Sequence, residues 1–237
     1  MIKEYRSEEY DWRKHWAGRE RLTPRALYEH ADKREEARFL RQYTAMSYLK
    51  GQRAIDIGCG IGLWCCWLET ACLDVEILGV DQCASEKWDT GRVTFHQEMF
   101  RRNMFFDDSF AVALAFGSSE HTESGPGEML REIWRILQPG GLAFVSTPYA
   151  NIRQTIASYR KVGSPENRVF YQWRFTRAEL QREMQIAGFR VREVTPFGKR
   201  VGLFRLTQRR WLRGLLQFVV PKWYIAHMIM AVGEKPE

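Results

Sequence analysis

Apolar positions along the chain fall into short continuous runs separated by longer amphipathic stretches. Residues 30–49 place Ala37, Leu40, Tyr43 or Thr44, and Ser47 or Tyr48 near helical spacing among charges, and Gly51 follows. That spacing predicts an amphipathic helix with a glycine stop. The run RAIDIG (53–58) is short and apolar and enters a glycine cluster, as a strand entering a turn does. LWCCWLETAC (63–72) reads as a mostly buried helix. Six further strands are predicted at VEILGVD (75–81), VTFHQ (93–97), FAVALAF (110–116), LAFVSTP (142–148), FRVREVTPF (189–197) and IAHMIMAVG (225–233). EMLREIWRIL (128–137) sets Met129 or Leu130, Ile133, Trp134 and Leu137 on one helical face, and Gln138-Pro139-Gly140-Gly141 then predicts a turn. Thr176-Arg177-Ala178-Glu179 has capping-box spacing and opens a helix that runs to Gly188. Strands alternating with helices predict an α/β domain with a largely parallel sheet. The expected parts are an N-terminal helical cap or lid (1–53), a core (54–198), an insertion (199–222), and a last strand with its tail (223–237).

The segment AIDIGCGIG (54–62) lies between a strand and a helix. Glycines at alternate positions admit positive φ and let backbone approach a ligand. The helix behind them offers free N–H groups. Its GxGxG spacing differs from the GxGxxG of dinucleotide sites, and no GK[ST] follows, so a phosphate-cradling P-loop is excluded. Asp56 stands just before the loop, where a carboxylate suits an amino-bearing or cationic ligand better than a pyrophosphate. Asp81 ends the second strand, 21 residues after Gly60. An acid there can accept from both hydroxyls of a ribose.

With DIGCGIG, GVDQ, DDSFAVALAF, SSEHTES and EMLREIWRILQPGGLAFVSTP in place, the chain resembles the class I S-adenosylmethionine-dependent methyltransferases, above all the small-molecule group that includes ubiquinone-type O-methyltransferases. The resemblance covers about residues 50–150 well and 170–197 more loosely. It implies a Rossmann-like three-layer sandwich whose seven-stranded sheet is mostly parallel with an antiparallel last strand. It implies S-adenosyl-L-methionine as cofactor and S-adenosyl-L-homocysteine as product. Asp56, Gly58, Cys59, Gly60 and Gly62 would hold the methionine part, Asp81 the ribose, and Gln82 would lie beside the adenine. Glu98 and Met99 match the positions that meet the adenine edge, and Phe116 and Gly117 would face the methionine side. Two features depart from the family: about ten residues separate Asp81 from the third strand, short of the usual helix, and Ala111 stands where an acid is common.

Methyl transfer from a sulfonium needs chiefly a well-placed acceptor, and an oxygen acceptor often needs a base. Glu120-His121 follows the fourth strand, and the same pair is frequent in the resembling enzymes. His121 is the candidate base and Glu120 its candidate partner; a purely loop-stabilising pair is the alternative. Tyr149, Tyr171 and Arg174 are the expected acceptor contacts, with Asn151 and Trp173 beside them. Tyr5, Tyr10, Trp12 and Trp16 would form a lid, or else a helix on the sheet edge. No metal-ligand spacing is present.

Charge sharpens the picture of the partner. The chain is 45% hydrophobic, so it can bury one sizeable core, and its formal charge is +7. Residues 1–53 carry 13 Lys+Arg and 9 Asp+Glu, residues 54–150 carry 6 and 14, and residues 151–237 carry 17 and 6. An acidic middle between basic ends points either to an anionic partner or to a one-sided, solvated basic surface. Residues 199–222 hold seven basic residues and no acid, with Leu212, Leu215, Leu216 and Val219 at helical spacing beside Trp211 and Phe218. Such a segment suits an anionic membrane surface, packing on the domain, or gating of a pocket. No apolar run is long enough to span a bilayer, and the charged N-terminus lacks a secretory pattern, so a cytoplasmic protein with reduced cysteines is expected, with peripheral membrane contact through 199–222 as an option beside packing on the domain. The expected activity is O-methylation of a small, sugar or lipid-linked, anionic acceptor. An RNA-modifying methyltransferase and a non-catalytic binding module of the same fold are the alternatives; nucleic acid ranks below the small acceptor because no RNA-binding module is recognisable.

Overall fold

The computed structural model describes residues 1–16, 22–43, 49–72, 74–83, 92–159 and 168–237. A seven-stranded sheet forms the middle layer. Its centre is the pair β2 (Arg53–Ile57) and β5 (Phe110–Phe116). On one side lie β3 (Glu76–Val80) and then β4 (Val93–His96); on the other lie β6 (Leu137–Pro148), β9 (Met228–Glu234) and β8 (Arg190–Phe197). Strands β2 to β6 pair in parallel, and β9 is antiparallel to both neighbours. The seven predicted strands and the antiparallel last strand are all present.

Alternation along each strand assigns its two faces to different helical layers. Ala54, Ile77, Leu114 and Phe144 pack with α3 (Glu35–Tyr43) and α4 (Leu63–Ala71). Ile55, Ile57, Ala113 and Val145 pack with α5 (Gly127–Ile136) and α7 (Arg177–Ile186). Burial on both faces explains why FAVALAF is apolar throughout rather than alternating.

Four expectations need correction. The helix predicted over 30–49 is two helices, α2 (Pro24–Asp32) and α3, broken at Lys33. The start of α2 is fixed by Thr23, whose Oγ1 accepts from the Ala26 N–H, and by Pro24 in the first turn. Residues 44–48 lie outside the described residues. The N-terminal cap is not wholly helical: β1 (Ile2–Arg6) pairs antiparallel with β7 (Val169–Arg174), and only then comes α1 (Trp12–Trp16). Thus Tyr171, Trp173 and Arg174 sit on a strand. Gln138-Pro139-Gly140-Gly141 does not leave the sheet but forms an irregular start to β6, where the register with β5 shifts and Gly140 (φ +76°) donates its N–H to Lys235 O. Finally, the basic insertion holds three helices, α8 (Lys199–Leu206), α9 (Arg210–Val219) and α10 (Lys222–Ile225). Among the described residues no helix is long and apolar enough to cross a membrane.

The capping box of α7 is complete: Thr176 Oγ1 accepts from Glu179 N–H at 3.3 Å, and Glu179 Oε2 accepts from Thr176 N–H at 2.9 Å. Thr176→Ala removes one half of it and is expected to lower stability by about 1 kcal/mol in urea unfolding. An unchanged midpoint would show that tertiary packing alone sets this helix end.

Candidate functional site

The chain reverses direction across the sheet between β2 and β5, and the carboxyl ends of these strands open a crevice there. Gly58, Gly60 and Gly62 all have positive φ (+74°, +54° and +77°). At Gly58 the requirement is also steric, because a Cβ would lie 2.6 Å from Ser118 Cβ at the end of β5. A Cβ on Gly60 would meet the Trp16 indole at 2.6 Å, so the missing side chain is what lets that ring lie on the loop. The loop is tied to β3: Gly58 N–H donates to Val80 O at 2.8 Å. Asp81, next in line, accepts from Gly60 N–H through Oδ2 (2.9 Å) and from Cys83 N–H through Oδ1 (2.7 Å). Each carboxylate oxygen keeps a further lone pair for a ligand hydroxyl.

A cavity of about 1140 Å³ opens over this loop. That is room for a nucleoside-sized ligand and a second small molecule, since small-molecule sites run to roughly 300–1,000 Å³. Gly58, Cys59, Asp81, Gln82, Glu98, Met99, Phe116, Gly117, His121 and Tyr171 line it, as do the lid candidates Tyr10, Trp12 and Trp16. Tyr5 instead packs edge-on against Phe170. Trp64, Ser118 and Ser146 also line the cavity and were not foreseen. Trp64 sits in a helix whose composition reads as core, and it does pack edge-on against Phe116, 5.0 Å between centroids.

The structure does not bring every expected residue to the wall. Asp56 is buried and faces α4, where Cys65 Sγ approaches Oδ2 at 3.6 Å; burial pushes its carboxyl up to about 7. Gly60 and Gly62 shape the loop without lining the cavity. Tyr149 is buried beside Phe175. Arg174 pairs with Glu4 across the small sheet (2.6 Å), Asn151 donates to Ala226 O, and Trp173 Nε1–H donates to Thr122 O. These groups hold the walls in place. Glu120 is buried behind His121, and its Oε2 has no partner among the described residues. Burial pushes this carboxyl up to about 8, against a weaker opposing pull from Arg174.

His121 lies in a short 3-10 turn, Ser119–His121, after β5. Its Nδ1 is 2.8 Å from Tyr171 O. A carbonyl only accepts, so Nδ1 carries the hydrogen and the neutral ring presents a bare lone pair at Nε2. Burial lowers the His121 pKa, which keeps the ring neutral at pH 7; the hydrogen bond to Tyr171 opposes this more weakly. Trp12 meets the ring edge-on at 4.8 Å between centroids, and Tyr171 lies at 5.4 Å. The Arg6 guanidinium stacks 3.7 Å from the Tyr171 ring centroid and 4.6 Å from that of Tyr10. Thus a neutral base and aromatic walls share one cavity with the glycine loop and Asp81, and one cation stacks on two of the rings that line it.

Residues 26–194 match the family described as methyltransferase domain. A ubiquinone biosynthesis O-methyltransferase of Bradyrhizobium sp. (strain ORS 278) is 34% identical over 122 residues, covering 46% of this chain and 45% of that protein. The chain therefore spans less than half the length of that relative. Among solved structures, a chain from the complex of the Haloferax volcanii Trm112 methyltransferase activator with a methyltransferase aligns with a TM-score of 0.66 and 19% identity, over 97% of this chain and 100% of that one. Phosphoethanolamine N-methyltransferase 2 of Haemonchus contortus, bound to phosphomonomethylethanolamine and S-adenosylhomocysteine, aligns with a TM-score of 0.61 and 15% identity, over 97% of this chain and 61% of that one. At these identities the structural likenesses bear on the fold.

Proposed function

Because the chain belongs to the methyltransferase-domain family, of the class I, S-adenosylmethionine-dependent kind, we propose that it transfers a methyl group to a hydroxyl of a small, sugar or lipid-linked acceptor that carries negative charge. The observation that carries the choice of a hydroxyl is His121: a cavity-lining neutral imidazole whose tautomer is fixed by Tyr171 O, leaving the lone pair on Nε2, 4.0 Å from Glu120 Oε1.

The residues present fit the cofactor. The left-handed glycines leave the loop backbone bare at Gly58, and the Asp81 carboxylate keeps lone pairs for ribose hydroxyls. Gln82, Glu98, Met99, Phe116 and Gly117 all line the cavity, which supports the first three as adenine contacts and the last two as methionine contacts. S-adenosylmethionine, when bound, supplies an activated methyl on a sulfonium. The chain's own work is then positional. Nε2 of His121 takes the proton from the acceptor hydroxyl. Glu120, uncharged below about pH 8, adds no anion that would turn His121 into an imidazolium. Tyr10, Trp12 and Trp16 wall the cavity and would keep water out, and Arg6, stacked on Tyr171 and Tyr10, lends that wall positive potential for an anionic acceptor.

Tritiated-methyl transfer to sugar acids, phenolic acids, amines and RNA, followed alongside S-adenosylhomocysteine release, tests this. Hydroxyl acids are expected to be methylated. His121→Gln is expected to lower their turnover about 100-fold at pH 7 while leaving S-adenosylhomocysteine affinity unchanged. Because the His121 pKa lies below its ordinary value, wild-type activity should fall only as pH drops into the acid range, and the variant should lose that limb. Wild-type turnover in the variant would remove His121 as base; methylation confined to amines or RNA would replace the acceptor class.

A further inference from the structure

Helix α9 leaves most of its apolar arc uncovered. At about 100° per residue, Trp211, Leu215, Phe218 and Val219 share one arc, and Arg210, Arg213 and Gln217 share the other. The apolar arc of such a helix normally faces the core. Here Trp211 is 63% exposed, Leu215 59%, Phe218 85% and Val219 75%, and no residue of α9 is buried. The helix rests instead on Leu212, Arg213 and Leu216, which are half-buried, while Arg210 and Gln217 are exposed; Arg213 donates to Thr207 O (3.2 Å) and Gln208 O (3.0 Å), and its guanidinium lies 5.1 Å from the Phe204 ring. The adjoining helices α8 and α10 add Phe204 and Trp223, each more than half exposed. A cluster of large exposed apolar side chains marks a surface that something else covers.

Charge identifies what covers it. Residues 199–222 contain Lys199, Arg200, Arg205, Arg209, Arg210, Arg213 and Lys222 and no acid. Exposed Trp and Phe ringed by cations match the boundary between anionic headgroups and acyl chains. We propose that α8–α10 form a docking face for an anionic membrane, with Trp211, Leu215, Phe218 and Val219 entering the headgroup boundary while Arg209, Arg210 and Lys222 meet lipid phosphates. The helix is about 15 Å long, so it lies along the surface and does not cross it. The same element reaches the site: Arg205 of α8 donates to His227 Nδ1 at 3.1 Å, and Met228, the next residue, lines the cavity. Docking through this face would bring the cavity wall at Met228 near lipid. The docking itself holds whatever the acceptor is.

Flotation with unilamellar vesicles tests the face. Binding is expected to mixed phosphatidylglycerol–phosphatidylcholine vesicles, to weaken with added salt, and to be slight with phosphatidylcholine alone. Combined Trp211→Ser, Leu215→Ser and Phe218→Ser should lower partition more than about tenfold. Combined Arg209→Gln and Arg210→Gln should lower it roughly 25-fold, at about fivefold per cation. Both variants should keep the melting temperature and S-adenosylhomocysteine affinity, which separates this test from the fate of the proposed reaction. The idea is overturned by absence of flotation with the anionic vesicles. It is also overturned by a concentration-dependent dimer that the serine variant abolishes without any lipid binding, which would assign the face to a second copy. RNA binding lost in the glutamine variant but not in the serine variant, again without lipid binding, would overturn it equally.

Discussion

An Asp81→Ala protein is expected to bind S-adenosylhomocysteine about 100- to 10,000-fold more weakly than the unaltered chain, because the two charge-assisted hydrogen bonds proposed to ribose hydroxyls would contribute roughly 3–6 kcal/mol together. A second effect acts through the loop. Asp81 already holds Gly60 N–H at 2.9 Å, so its removal also frees the backbone that must stay close to the ligand. Asp81→Asn keeps one acceptor oxygen and loses the charge, so its affinity should fall between the two. Asp81 is only half-buried, and the melting temperature of the ligand-free variants should change little. Calorimetric titration reads the affinity, and thermal unfolding reads the fold. A folded Asp81→Ala protein with unchanged affinity would remove Asp81 from the ribose position and leave the cavity's orientation to be found anew.

Features that depend on neighbours in sequence were legible before any coordinates. The strands announce themselves by apolar runs, the loop by its glycines, and the start of α7 by Thr176 and Glu179, because each of these signals acts over a few residues. What failed depends on distant pairing or on facing. The strand Ile2–Arg6 carries three charges in five residues and pairs with a segment whose Gln172 lies 168 residues from its partner Glu4. No local period announces such an edge pair. Asp56 has the residue type expected at a ligand site, but it stands between Ile55 and Ile57, and alternation turns it to α4 rather than to the cavity. Asn151 is expected near the acceptor from its place after the fifth strand and Arg174 from its place before the capped helix, yet their partners Ala226 O and Glu4 lie elsewhere in the chain. The amphipathic pattern of α9 is plain in the sequence, and only the fold shows that Leu212 and Leu216 pack inward while Trp211, Leu215, Phe218 and Val219 face out.

The two buried carboxyls beside the site make stability fall as pH rises. Asp56 titrates near 7 rather than 3.8, and Glu120 near 8 rather than 4.5, both chiefly because burial disfavours their anions. In the unfolded chain both have released their protons by pH 6, while the folded chain still holds them. Folded protein binds more protons in that window, so the slope of unfolding free energy with pH is negative. Their stabilising contribution is complete below the unfolded values and is lost as pH climbs through 7 and 8. His121 and His227 have lowered values and act in the opposite sense, but only below their unfolded value of 6.5. The clean window is therefore pH 6.5–8.5, where about 2–3 kcal/mol of unfolding free energy should disappear. Urea unfolding across that range measures it. Glu120→Gln cannot ionise and should flatten most of the slope above pH 7, while Asp56→Asn should act mainly below it. A wild-type curve that stays level to pH 8.5 would mean that Glu120 is already ionised at neutrality, and His121 would then sit beside an anion that favours its protonated form.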